Sequence, residues 1–207
     1  MILFAMADET VYRWLLGAIM VIGVTISKVL RARGDRAACR VSRRVDGTPI
    51  LVGLALVAMG AMGGLFAYLV NPAWMSWSQV DLPAWSRLAG GLLGAVSLLL
   101  FIQVFRALGT NATPTSATRE KHTLVTHGPY RLVRHPMYSA GVMLFGAYAL
   151  IAANWFVALC SALCLTVLAV RTRREEANLI DRFGDDYREY MQRTGRFLPR
   201  WVALWHG

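Results

Sequence analysis

Between Met137 and Val170 the chain runs for 34 consecutive residues without a charge. A helix needs about 20 apolar residues to cross about 30 Å of hydrocarbon. At roughly 1.5 Å per residue, one straight helix of this length would reach about 51 Å, too long for a single crossing. The stretch therefore reads as two short helices folded back at Asn154, close to its midpoint. Three more charge-free stretches precede it. Trp14 to Ser27 ends at Lys28, whose ammonium can snorkel towards the headgroups. Pro49 to Val70 gives 22 residues and Leu88 to Phe105 gives 18. That makes five spans. With 56% hydrophobic and 16% charged residues, against about a quarter charged in a soluble domain, the chain is too apolar for a water-soluble core. The expected fold is all-α and integral to the membrane, with about five transmembrane helices and a cytoplasmic C-terminal amphipathic helical segment, in one domain over 1–207.

Arginine placement predicts the orientation. Arg31, Arg33, Arg36, Arg40, Arg43 and Arg44 follow the first span, and Arg106, Arg119, Lys121, Arg131 and Arg134 follow the third. The C-terminal tail adds Arg171, Arg173, Arg174, Arg182, Arg188, Arg193, Arg196 and Arg200, whereas Asn71 to Trp85 holds no Lys or Arg and the N-terminus offers Asp8 and Glu9. The positive-inside rule then places the N-terminus outside and the C-terminus in the cytoplasm. The net charge of +10 reads as a basic rim facing anionic lipid and calls for no nucleic acid. No basic n-region or small-residue cleavage pattern marks a signal peptide. Together these features point to a bacterial inner membrane. Cys39, Cys160 and Cys164 give no disulfide framework, and the latter two, four apart within a span, read as packing residues.

The first half, 11–108, reads as three scaffold spans. Gly60 and Gly64, and Gly90 and Gly94, form small-xxx-small pairs that allow helices to approach closely. Trp74, Trp77 and Trp85 suit the outer interface. The second half changes character. Residues 109–136 form a polar cytoplasmic loop, whose first eighteen residues (Gly109 to Thr126) make an unusually long connection of the functional kind. The loop runs into Gly128-Pro129-Tyr130-Arg131-Leu132-Val133-Arg134-His135-Pro136-Met137-Tyr138, where two prolines shape the backbone. The hairpin 137–170 follows, and then a helical tail, 171–207. There Leu179, Ile180, Phe183, Tyr187, Tyr190 and Met191 recur at three- and four-residue spacing. Gly184 and Asp185 break the tail, one stopping a helix and the other capping the next. Counting in fours from Glu175 and Glu176 reaches Leu179, Phe183 and Ile180, so both carboxylates lie on or beside the apolar stripe. Arg182, Asp186 and Glu189 take the wet face. A carboxylate pair on a packing face at the end of a span needs a cation or a ligand.

Soluble-enzyme signatures are absent: no Gly-rich strand–helix turn, no Walker motif and no zinc-type Cys/His spacing. His122 and His127, five apart in a Pro/Gly-rich region, are poorly spaced as ligands, and no metal site is expected. His127 reads as a loop residue and His206 as tail. What remains is Arg134-His135-Pro136-x-Tyr138, a span hairpin, and Glu175-Glu176. Taken separately, the first can be a basic loop end that binds headgroups and the second a solvated charge cluster.

With His122-x-Leu124-Val125-Thr126-x-Gly128-x-Tyr130 upstream, and Glu175-Glu176-x-x-Leu179-Ile180 followed by Phe183-Gly184-Asp185-Asp186-Tyr187-x-x-Tyr190 to Pro199 downstream, the chain resembles the isoprenylcysteine carboxyl methyltransferase family, in its prokaryotic five-span type, and the related membrane phospholipid methyltransferases. The resemblance covers roughly residues 105 to 200. It implies an S-adenosyl-L-methionine-dependent methyltransferase with the cofactor at the cytoplasmic membrane face and a lipophilic small-molecule or prenylated acceptor entering from the bilayer. Carried over by motif, it points to His122, Leu124, Val125, Gly128, Tyr130, His135, Pro136, Tyr138, Glu175 and Glu176 as cofactor-side residues. Arg134 and Glu176 are the catalytic candidates, Arg134 as the group that orients the acceptor or the cofactor. The side chains suit that task. Carboxylates pair an ammonium, tyrosines pack on cations or adenine, Gly128 permits close backbone approach, and Arg134 offers a planar fork for a carboxylate. An ionised acceptor needs no general base; an amine or thiol does, and Glu176 or His135 is then the candidate. A phospholipid amine or small thiol acceptor, or a non-catalytic membrane subunit of the same fold, are the competing readings.

Overall fold

The computed structural model describes residues 2–36, 48–109 and 124–200. His122, His206 and Cys39 lie outside them. Among the described residues are the helices α1 (Ile2–Arg36), α2 (Thr48–Val70), α3 (Ala84–Leu108), α4 (Pro136–Ala152) and α5 (Trp155–Phe183), followed by the short α6 (Asp185–Arg193). Short 3₁₀ segments occupy Pro72–Ser78 and Gly128–Arg131. Glu9–Leu30, Ala84–Leu108 and Trp155–Phe183 are long and apolar enough to cross a membrane, while Ala55–Val70 and Pro136–Ala152 are shorter apolar helices. The chain is an all-α integral membrane protein. The 17 residues of α4 reach about 25 Å, a little short of the hydrocarbon core.

The expected turn falls at Asn154. The α4 helix ends at Ala152, Ala153 takes a left-handed conformation with φ 46°, and α5 begins at Trp155. Buried Asn154 makes the turn specific. Its Oδ1 accepts from the Val157 N–H at 3.1 Å, capping α5, and its Nδ2 donates to Ser78 Oγ at 2.8 Å. The main chain joins in, with the Val80 N–H donating to the Ala153 carbonyl at 2.8 Å.

The chain divides into two compact units. The first comprises Met1–Val24, Thr48–Leu98 and Gly141–Val167. Its packing depends on small residues of α3. A Cβ placed at Gly90 would stand 2.8 Å from Leu150 Cβ, and one at Gly94 would stand 2.8 Å from Ile19 and 3.4 Å from Ala147. The Gly90/Gly94 pair thus lets α1 and α4 approach the α3 backbone, as its spacing predicts. Two arginines at the ends of these helices are fully engaged. Arg13 donates to the Leu69 carbonyl through Nε (3.0 Å) and Nη2 (2.5 Å) and to Val70 O at 2.8 Å, closing the C-terminal end of α2. Arg87 grips Glu9 through both terminal nitrogens at 2.8 and 3.0 Å, donates to Ile151 O at the end of α4, and stacks 3.8 Å from the Tyr12 ring centroid. Tyr68 Oη donates to Glu9 Oε1 at 2.5 Å. Trp74, Trp77 and Trp85 are exposed, as interface anchors require.

The second unit comprises Thr25–Gly47, Leu99–Ala140 and Leu168–Gly207. Here the tail breaks at Gly184, as expected, but the capping differs. Gly184 itself stands at the N-cap position with φ 56°, and Asp185 and Asp186 fall in the first turn of α6 without a side-chain cap. They favour the helix start through the macrodipole instead. Buried Tyr187 and Tyr190 and exposed Arg182, Asp186 and Glu189 confirm the two faces of the tail.

Candidate active site

The second unit brings the two motifs together. Three main-chain hydrogen bonds tie the segment before α4 to the segment after α6: Arg134 N–H to Gly195 O at 2.8 Å, His135 N–H to Arg196 O at 3.0 Å, and Gly195 N–H to Leu132 O at 3.3 Å. Pro136, itself fully buried, opens α4, where its missing N–H costs nothing and its fixed φ suits the helix. One turn of α5 then presents Glu175 and Glu176 to this platform.

Glu176 is 3% exposed and is surrounded by donors. Its Oε1 accepts from Arg134 Nε at 2.9 Å, Arg196 Nε at 3.2 Å and the ring Nε2 of His135 at 3.3 Å; its Oε2 is held by Arg196 Nη2. Glu175 accepts from Tyr138 Oη at 2.8 Å and stands 3.5 Å from Arg171 Nε and 3.9 Å from His135 Nδ1. The His135 ring lies between the rings of Tyr138 and Phe197, with centroids 5.6 and 5.9 Å away. The carboxylate pair is therefore neither a solvated surface cluster nor an unpaired site. It holds Arg134, His135, Tyr138 and Arg196 in one arrangement, and buried charge is tolerated there because each partner is hydrogen-bonded.

Arg134 joins this cluster to a cavity of about 80 Å3 lined by Leu108, Leu124, Val125, Tyr130, Arg134, Leu179, Phe183, Tyr187 and Tyr190. Arg134 Nε goes to Glu176, and its Nη1 donates to Thr194 O at 2.5 Å and Met191 O at 3.0 Å, capping the end of α6. Nη2 donates to none of the described residues. Tyr190 Oη donates to Tyr130 O at 2.7 Å. Tyr187, 1% exposed, keeps its Oη buried with no hydrogen-bond partner among the described residues. Burial pushes the phenols of Tyr130, Tyr187 and Tyr190 well above their ordinary range, so all three stay protonated donors. An orphaned buried hydroxyl costs about 1–3 kcal/mol. Tyr187 also lines the cavity, and a ligand there that offered its hydroxyl an acceptor would relieve that cost.

The structure thus sorts the residues singled out in the sequence into two groups sharing Arg134. Leu124, Val125 and Tyr130 line the cavity, while His135, Tyr138, Glu175 and Glu176 form the charged cluster. Gly128 belongs to neither: its φ is 62°, and a Cβ there would stand 3.2 Å from Ala107 Cβ, so the close approach it permits is to α3. His127 is exposed and precedes the 3₁₀ turn. Arg196, Phe197 and Leu108 were not singled out as site residues, and Tyr187 and Tyr190 were read only as an apolar stripe. The three-to-four-residue spacing of the tyrosines places them on the buried face but does not show that the face borders a cavity. For Arg196 the sequence offers no signal beyond one arginine among eight in the tail.

A helical membrane protein with a charge-clasped arginine at a tyrosine-lined cavity is the class defined here. Comparison with known proteins makes the class specific. Residues 85–186 match the phospholipid methyltransferase family, and the motifs from Arg134 to Glu176 fall inside that region. It is 36% identical over 92 residues to methanethiol S-methyltransferase 1 of Bradyrhizobium diazoefficiens, covering 44% of this chain and 29% of that protein. It is 29% identical over 140 residues to the protein-S-isoprenylcysteine O-methyltransferase of Rattus norvegicus, covering 59% and 44%. It is 30% identical over 147 residues to the methanethiol S-methyltransferase of Pseudomonas deceptionensis, covering 63% and 55%. The chain therefore spans between about a third and about half the length of these relatives. The family and the relatives' names imply a methyl donor.

Proposed function

We propose that this protein is an S-adenosyl-L-methionine-dependent integral-membrane methyltransferase acting on a lipophilic acceptor, most like an isoprenylcysteine carboxyl O-methyltransferase. One observation carries the reading: Arg134, within the family-matched segment, is clasped by Glu176 and lines a cavity together with Tyr187, whose hydroxyl has no hydrogen-bond partner among the described residues. Bound S-adenosyl-L-methionine supplies an electrophilic methyl group on a sulfonium. The residues here fit such a ligand. Leu124, Val125, Leu179 and Phe183 offer apolar walls to a flat ring, Tyr187 donates to a ring or sugar acceptor, and the spare Nη2 of Arg134 suits a carboxylate. Glu175 and Glu176 supply negative potential towards the ligand's cations while their hydrogen bonds keep Arg134, His135 and Tyr138 in place. The chain's task is then alignment and exclusion of water, since a direct displacement needs little else.

Among the described residues, no side chain at the cavity is arranged as a general base. The tyrosines are held protonated, and Glu176 is clasped by two guanidinium groups, which favour its ionised form and weaken it as a proton acceptor. This supports an acceptor that arrives ionised, such as a carboxylate, over an amine or thiol that must first lose a proton. The thiol reading has independent support from the two methanethiol S-methyltransferases among the relatives. We place the second unit, with its arginine-rich helix ends, in the cytoplasm and the protein in a bacterial inner membrane, its N-terminus outside. The direct test is transfer of labelled methyl from S-adenosyl-L-methionine, in proteoliposomes, to a prenyl-thioether carboxylate, a small thiol, phosphatidylethanolamine and a total membrane extract. Label is expected in the carboxylate or the thiol. Label in the amine lipid alone contradicts the acceptor assignment, and label in none of the four contradicts the enzyme.

A further inference from the structure

The family match ends at residue 186, yet the segment after α6 contributes four groups to the site. The Gly195 and Arg196 carbonyls receive the Arg134 and His135 N–H groups, Phe197 O accepts from Ser139 Oγ at 2.6 Å, and the Arg196 guanidinium sits on Glu176. The distribution of donors over the Glu176 carboxylate is uneven. Oε1 takes three, from Arg134, His135 and Arg196, whereas Oε2 is held among the described residues by Arg196 alone. The Glu176 side chain is only 4% exposed and that of Arg196 is 37% exposed.

A guanidinium and a carboxylate left to themselves prefer two parallel hydrogen bonds. Without Arg196, Glu176 Oε2 would be buried and unpartnered. The nearest remedy is for the carboxylate to turn and take Arg134 in the bidentate mode, engaging Nη2. That would remove from the cavity the one Arg134 nitrogen that is spare. By occupying Oε2, Arg196 restricts Glu176 to a single bond with Arg134 and leaves Nη2 for a ligand.

We infer that Arg196 is a positioning residue for the ligand site, acting through Glu176 to keep the Arg134 fork open towards the cavity. This rests on the methyltransferase reading, with S-adenosylhomocysteine as the probe, and the test separates the two claims. Affinity for S-adenosylhomocysteine is measured by calorimetry on the purified full chain and on Arg196→Gln, Arg134→Lys and the double variant. Lysine at 134 keeps the charge but has no fork to hold open. Arg196→Gln should weaken binding about tenfold in the wild-type background, a coupling of the size seen between contacting residues, and by less than about twofold alongside Arg134→Lys. Its melting temperature should fall by only a few degrees. Arg196→Lys, whose single ammonium cannot span both oxygens in fork geometry, should lie between wild type and Gln, and it replaces Gln in the same cycle if the latter does not fold. Equal losses in both backgrounds, or unchanged affinity in the single variant, would overturn the positioning role while leaving the methyltransferase reading intact. Absence of binding to the wild-type chain would overturn both.

Discussion

Each of the two units contains a carboxylate gripped by an arginine, half-buried Glu9 in the first and buried Glu176 in the second, and the two clusters do different things. In the first unit, Glu9 takes Arg87 in a bidentate pair and Tyr68 as a second donor, while Arg87 also closes the end of α4 and covers Tyr12. Arg13 does the same for α2. The Arg87 nitrogens are consumed by the fold, and the cluster is complete without a ligand. In the second unit, Glu176 takes Arg134 through a single nitrogen, a second arginine holds its other oxygen, and Tyr187 of the cavity lining has a hydroxyl with no partner among the described residues. A buried ion pair is thus no sign of a site in itself. The sign is an incomplete set of partners beside open volume.

That contrast can be broken most severely at Glu176. Glu176→Gln leaves Arg134 and Arg196 facing a neutral amide, and removing one partner of a buried pair costs about 3–5 kcal/mol in other proteins. S-adenosylhomocysteine affinity should fall by roughly two orders of magnitude, about 2.7 kcal/mol, with a lower melting temperature. Unchanged affinity in calorimetry would place the ligand elsewhere. Glu9→Gln is the matched control: a stability loss of about 2 kcal/mol, seen as a lower melting temperature in detergent, with ligand affinity unchanged. If both variants lose ligand equally, the two clusters are not distinct in role.

Tyr187→Phe should act in opposite directions on the two states. Removing an unsatisfied buried hydroxyl stabilises the ligand-free chain by about 1 kcal/mol, while the ligand loses a donor and its affinity drops about fivefold. The thermal shift on ligand addition should shrink. A variant less stable without ligand would show that the hydroxyl has a partner in the fold. The smallest effect is expected at Gly128, where Gly128→Ala meets a positive φ and a 3.2 Å contact with Ala107, costing about 1–2 kcal/mol of stability. Affinity should change less than stability. The reverse ordering would put the Gly128 backbone against the ligand, as its place in the motif implied.

Much of the fold was legible because charge-free length translates directly into membrane helices. The 34-residue run could only be a hairpin, and Asn154 was the polar residue available at its centre. The convergence of Arg134-His135 with Glu175-Glu176 was legible through the motifs and their spacing around that hairpin. Arg13 and Arg87 were not, since their roles depend on which helix end lies within reach of a guanidinium. Arg196 was hidden for the same reason: periodicity speaks for residues on helices, and Arg196 follows α6 in an irregular segment positioned by hydrogen bonds to residues about sixty positions away. The satisfied state of the glutamates was likewise unreadable. A sequence shows that buried carboxylates need partners but not whether the fold supplies them.

The central claim is that the cavity beside Arg134 binds the methyl donor. Titrating S-adenosylhomocysteine into the purified full chain tests it most directly, with Glu9→Gln and Glu176→Gln titrated in parallel. One site per chain is predicted, retained in Glu9→Gln and lost or weakened about a hundredfold in Glu176→Gln. No binding to the wild type, or equal binding to all three proteins, would contradict the account.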